Sequence, residues 1–133
     1  AAVADWRVAE EAPRKIKKAA SKGPVRLALV ENPDILRNLS QPGPRRPRLV
    51  VGFAAETENV RENAEQKRRA KGCDWIVAND VSAGTGVFGG NDNTVHLVTA
   101  EGIETWPKLA KEAVAEKLMR QASERLRSHM AAE

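Results

Sequence analysis

Cysteine occurs once in the 133 residues, at Cys73, and tyrosine not at all. A lone cysteine excludes an internal disulfide and a cysteine-built zinc site, and points to a reducing cytoplasm. Aromatic residues are scarce, three Trp and two Phe, which leaves little to stack on the bases of a nucleic acid. No apolar run approaches the roughly 20 residues of a membrane helix. The start shows none of the charged, apolar and small-residue succession of a signal peptide. Also lacking is a glycine loop that opens a strand–helix unit. The glycines between 84 and 90 precede a strand instead, so they form neither a dinucleotide fingerprint nor a P-loop. What remains is an ordinary composition, 41% hydrophobic and 30% charged, and one domain long enough to bury a core.

Charge is mildly positive, 22 Lys and Arg against 18 Asp and Glu, net +4. Two basic runs stand out, Arg45, Arg46 and Arg48, then Arg61, Lys67, Arg68, Arg69 and Lys71. Acids are interspersed along most of the chain, so a small polyanion such as a nucleotide triphosphate explains the cations at least as well as nucleic acid does.

The chain opens AAVADW, small and apolar, with Asp5 where a parallel strand would leave its sheet. In open α/β sheets that carboxyl edge is where ligands bind. Lys15, Lys17 and Lys18 follow closely. Such an opening implies a domain incomplete at its N-terminus, with a glycine-rich half upstream. Residues 17–24 read as a flexible flap or, equally, a plain surface loop. Residues 25–30 read as a strand, Asn32-Pro33-Asp34 as a helix start, and residues 35–39 as the helix. QPGPRRP at 41–47 is a break, and LVVGFA at 49–54 is a buried strand of the parallel kind. A helix over 57–71 stops at Gly72, and a further strand runs over 74–78. Strand, helix, strand is the crossover unit of an α/β fold. After the glycine-rich stretch, alternation predicts a strand over 94–99, a hairpin return over 103–106, and a long helix over 108–128.

Six segments occur in order: AAVADW at 1–6, KIKK at 15–18, NPDIL at 32–36, VGFAAET at 51–57, the helix carrying Lys67 and Lys71, and VANDV at 77–81. Together they resemble the second half of bacterial phosphopantothenoylcysteine synthetase, over nearly the whole chain, including the loop from Phe88 to Asn93. The resemblance implies a three-layer, Rossmann-like α/β domain with a mostly parallel sheet, and a hairpin over about 82–106 used for homodimer formation. It implies a ligase that joins 4′-phosphopantothenate to cysteine with CTP, through an acyl-cytidylate. It implies Mg²⁺ beside the triphosphate, and FMN only in a separate decarboxylase domain.

Residue by residue, the resemblance makes Lys15 the catalytic cation. A fixed ammonium offsets the charge that develops when a carboxylate attacks an α-phosphate; a solvated loop lysine is the competing reading. It places Ala1 and Asp5 at the nucleotide, where the carboxylate accepts from a cytosine amino group or a ribose hydroxyl, or merely ends a strand. Asn32, Pro33, Asp34 and Ile35 become CTP contacts, with Asp34 touching Mg²⁺; without the resemblance they are a helix cap. Phe53 packs on the cytosine ring or belongs to the core. Lys67 and Lys71, four apart, share a helix face and hold phosphate or face solvent. Asn79 and Asp80, at a further strand end, are weaker candidates to line the site. Cys73, His96 and His129 read as structural or surface residues. Two alternatives stand beside the ligase. One is an inactive module retaining only nucleotide contact and dimerisation, and the other is a nucleic-acid-binding domain.

Overall fold

A computed structural model describes residues 4–10, 26–81 and 92–130. The chain divides into two compact units, Ala1–Ile35 and Leu36–Glu133. The first unit holds an antiparallel ribbon of β1 (Trp6–Val8) and β2 (Leu29–Glu31), with Trp6 opposite Glu31 and Val8 opposite Leu29. Ala4 lies outside any strand, and the strand begins only after Asp5, pairing antiparallel. Asp5 therefore precedes a ribbon strand, and residues 1–3, where the expected parallel strand falls, lie outside the described residues. The strand over 25–30 shortens to β2.

At the boundary of the two units, α1 (Ile35–Leu39) has the bounds that the sequence predicts. The second unit is built on a four-stranded sheet in the order β3 (Val51–Glu56), β4 (Trp75–Asp80), β6 (Val95–Val98), β7 (Ile103–Thr105). β3 and β4 are parallel and joined by α2 (Val60–Lys71), whereas β4–β6 and β6–β7 are antiparallel. The mostly parallel sheet expected from the sequence is thus a mixed one, because the hairpin inserts beside β4. β5 (Asp92–Asn93) pairs with β8 (Leu109–Ala110), which leads directly into α3 (Lys111–Met130). Among the described residues no helix is long and apolar enough to cross a membrane.

Both faces of β4 are covered, which is why it reads as an unbroken apolar run. Ile76 and Ala78 join Val50, Ala54, Val98 and Ala64 of α2 on one face. Trp75 and Val77 join Val95, Leu97, Trp106 and Leu118 of α3 on the other. Helix, sheet and helix make the three layers. Gly52 permits close approach: a Cβ there would sit 2.5 Å from Leu36 Cδ2 and 2.7 Å from Ile76 Cδ1. α2 starts later than predicted, after Asn59 in the left-handed region (φ 46°), a conformation asparagine tolerates, and ends as predicted on Gly72 (φ 73°). Arg46 ties the preceding loop to the sheet. It donates to Asp74 Oδ2 at 3.0 Å and Oδ1 at 3.1 Å, while Asp74 Oδ2 also accepts from the Val50 amide at 2.7 Å.

Candidate functional site

The carboxyl ends of β3 and β4 lie side by side, with Phe53 opposite Val77, Ala55 opposite Asn79 and Glu56 opposite Asp80. Period-two alternation turns Glu56 and Asp80 to the α2 face of the sheet. Asn63 of α2 reaches this end, donating to the Glu58 carbonyl at 2.9 Å and to Glu56 Oε2 at 3.4 Å. One turn further along α2, Lys67 Nζ donates to the Phe53 carbonyl at 3.3 Å. The Phe53 ring is 63% exposed, so it is a surface platform and not core. Two of the predicted residues are thereby brought together, an open aromatic face and an ammonium anchored to the same residue's backbone. Lys71 lies one turn beyond Lys67, about 6 Å along the helix, and toward the opposite edge of the sheet.

In the first unit, Asn32 is engaged through its backbone N–H and both polar atoms of its side chain. Its amide N–H donates to the Asp5 carbonyl at 2.8 Å, and its Nδ2 to the Ala4 carbonyl at 2.8 Å. Its Oδ1 accepts from Arg7 Nη1 at 3.2 Å, and the same nitrogen donates to the Glu31 carbonyl at 2.8 Å. Asn32 and Arg7 thus staple the ribbon beside Asp5. Pro33 and Ile35 are exposed, and Asp34 is half-buried just before α1. Ala1, Lys15, the flap at 17–24 and the loop at 82–91 lie outside the described residues. No group of three His, Cys, Asp or Glu able to hold a metal occurs among the described residues.

Sequence reasoning missed the Asn32–Arg7 staple and gave Glu56 no role. The WRV alternation at 6–8 is the signal for the first. The second shows only once β3 is seen to continue past its apolar run. Cys73 is buried, and burial foremost pushes its thiol pKa up, which agrees with a structural role.

His96 on β6 has Nδ1 2.9 Å from Thr105 Oγ1. Burial first, then the Arg61 charge, holds its pKa below the usual value, with Asp80 acting the other way. The unfolded chain therefore binds this proton more tightly. His96 contributes fully to stability above about pH 6.5 and loses that contribution as pH falls below it. An NMR titration of the folded chain should give a His96 midpoint below 6.5. A midpoint above that value would reverse the sign.

A parallel crossover unit in a helix-covered mixed sheet defines an α/β domain. More particularly, the chain belongs to the family described as the DNA/pantothenate metabolism flavoprotein C-terminal domain, which it matches over residues 1–126. It is 46% identical over 120 residues to the coenzyme A biosynthesis bifunctional protein CoaBC of Escherichia coli (strain K12), covering 90% of this chain and 29% of that protein. The protein of the same name from Vibrio cholerae is 40% identical over 119 residues, covering 90% and 30%. A crystal structure of the C-terminal domain of a CoaBC protein aligns with a TM-score of 0.66 at 32% identity, covering 96% of this chain and 53% of the other. The chain spans about three tenths of the length of these curated relatives.

Proposed function

We propose that this chain supplies the CTP-facing part of a phosphopantothenate–cysteine ligase acting in coenzyme A biosynthesis, as a homodimer in the cytoplasm. The observation that carries the reading is the family match over residues 1–126, from a chain 46% identical to a coenzyme A biosynthesis protein. In the reaction, the carboxylate of 4′-phosphopantothenate attacks the α-phosphorus of CTP. A P–O bond forms and pyrophosphate leaves. The cysteine amine then attacks the acyl carbon, a C–N bond forms, and CMP leaves.

Lys15 is the cation that offsets the charge built up at the α-phosphate. Asp5 and the backbone near Ala1 receive the nucleoside, together with Asn32, Pro33, Asp34 and Ile35. The Asn32 side chain and N–H are engaged within the ribbon, so Asn32 also holds the frame of the site. Phe53 offers its exposed ring to cytosine, and Lys67 and Lys71 the positive charge for phosphates. The Asp34 carboxylate would hold Mg²⁺ together with substrate phosphates and waters, the manner in which this ion is commonly bound. When bound, it neutralises phosphate charge. FMN belongs to a separate decarboxylase domain.

The whole bifunctional protein carrying this sequence, given CTP, 4′-phosphopantothenate and cysteine, should release CMP and pyrophosphate in step with the ligated product. CTP binding without turnover would support the inactive module instead. The nucleic-acid reading loses support from Arg46 and Arg69, which are paired with Asp74 and Glu65.

A further inference from the structure

At the amino end of β4, two residues along the sheet from the level of Phe53, or about 7 Å, a cavity of about 370 Å³ opens between the end of α2, the β6–β7 turn and α3. Three arginines line it, Arg68 and Arg69 from α2 and Arg125 from α3, with Trp75, Asp74 and Glu101. Their pairing is uneven. Arg69 is ion-paired with Glu65, and Asp74 is held by Arg46 and the Val50 amide. The guanidinium groups of Arg68 and Arg125 make no hydrogen bond or close ion pair among the described residues, and Arg68 Nε is buried without a partner.

Glu101 is the remaining acid. Its carboxyl is held below the ordinary range first by the Thr99 hydroxyl and its own backbone amide, then by the charges of Arg125 and Arg68. It therefore stays ionised and offsets one of the two guanidinium charges, leaving one uncompensated. Basic residues in the last turn of a helix commonly offset its carboxyl-end dipole, which accounts for Arg68 and Arg69. It does not account for Arg125, which lies more than one turn before the end of α3.

We propose that this cavity, at the opposite end of β4 from Asp80, is an anion site in which Arg68 and Arg125 grip a phosphate-type oxyanion of a small molecule. Buried polar groups in native proteins are nearly always hydrogen-bonded, so a buried donor without a partner marks a position to which a ligand oxygen adds a bond. Guanidinium groups match phosphate oxygens in pairs. Trp75, 7% exposed, supplies a wall against which an apolar portion of the ligand rests. The proposal goes beyond the ligase reading and does not depend on it.

The test is an NMR titration of the full chain with inorganic phosphate and with pyrophosphate, in phosphate-free buffer. Saturable amide shifts at Gly72, Cys73, Trp75 and Glu101 are expected. Each of Arg68→Gln and Arg125→Gln should weaken binding about tenfold or more, as loss of a charge-assisted hydrogen bond does. Lys67→Gln should leave these shifts in place. Arg125 is exposed on α3, so its variant keeps the test decisive if Arg68→Gln disturbs the fold. Absence of saturation overturns the proposal. So do shifts confined to Phe53 and Lys67, and shifts at the cavity that survive Arg125→Gln. No outcome here bears on ligase turnover.

Discussion

Truncating Trp106 to alanine should cost the fold about 3–5 kcal/mol, the range for removing a large buried aromatic, as read from the urea midpoint at constant m. Trp106 follows β7 directly and is fully buried. Its amide donates to the Val95 carbonyl at 2.8 Å, which fixes the backbone while the ring joins Trp75, Val77, Val95, Leu97 and Leu118. Lys117 Nζ lies 4.8 Å from the ring centroid and pairs at 2.9 Å with Glu104, whose carboxyl is held below its usual pKa first by the Gln121 amide, then by Lys117. The ring is thus the seam between sheet and α3. A domain commonly has only about 5–15 kcal/mol in hand, so one substitution removes a large share. Phe53→Ala, at an exposed ring, should shift stability by less than about 0.5 kcal/mol. Equal losses at both positions would show that the α3 layer does not rest on Trp106.

The contrast between those two aromatics shows what was legible in the sequence. Helix ends were readable where a single residue sets the backbone, as at Gly72, because a left-handed residue is needed there whatever packs around it. α2's start was not, since Thr57 offers cap chemistry and the structure turns the chain at Asn59 instead. β3 and β4 were recognised from their apolar runs but extend to Glu56 and Asp80, because backbone pairing continues where side chains turn polar. The hairpin of β6 and β7 was readable from local alternation. Its place beside β4, which makes the sheet mixed, was not, for alternation specifies a face and not a neighbour. The β1–β2 ribbon joins residues more than twenty positions apart, Trp6 with Glu31, and no local pattern encodes that partner.

The site divides the same way. The spacing of Lys67 and Lys71 put them on one face, yet only the fold shows that Lys67 bonds back to Phe53 while Lys71 lies a turn away from that edge. The sequence sets Asn32 before a helix and the resemblance makes it a CTP contact, whereas its side chain staples a ribbon. A motif reports that residues are needed together. It does not separate those that hold the site's frame from those that touch a ligand.

Lys15→Ala, made in the whole bifunctional protein, should lower kcat by roughly 10²–10³-fold, the usual loss when one preorganised charge or donor at a reacting centre is removed. The carboxylate and the triphosphate are both anions, so their approach is uphill until a cation sits between them, and a demand for charge at that point is largest in the transition state. An interaction made mainly there lowers kcat and kcat/KM together and leaves KM for CTP little changed. A triphosphate-holding cation behaves differently. In that proposed role, Lys67→Ala should raise KM for CTP more than it lowers kcat, since such a cation holds the nucleotide equally before and during reaction. Lys15→Arg would retain charge with altered reach and should recover part of the rate. Denaturation midpoints should be nearly unchanged in the Lys15 variants. If Lys15→Ala instead raised KM alone, Lys15 would be a nucleotide-binding residue and the catalytic cation would have to be sought elsewhere.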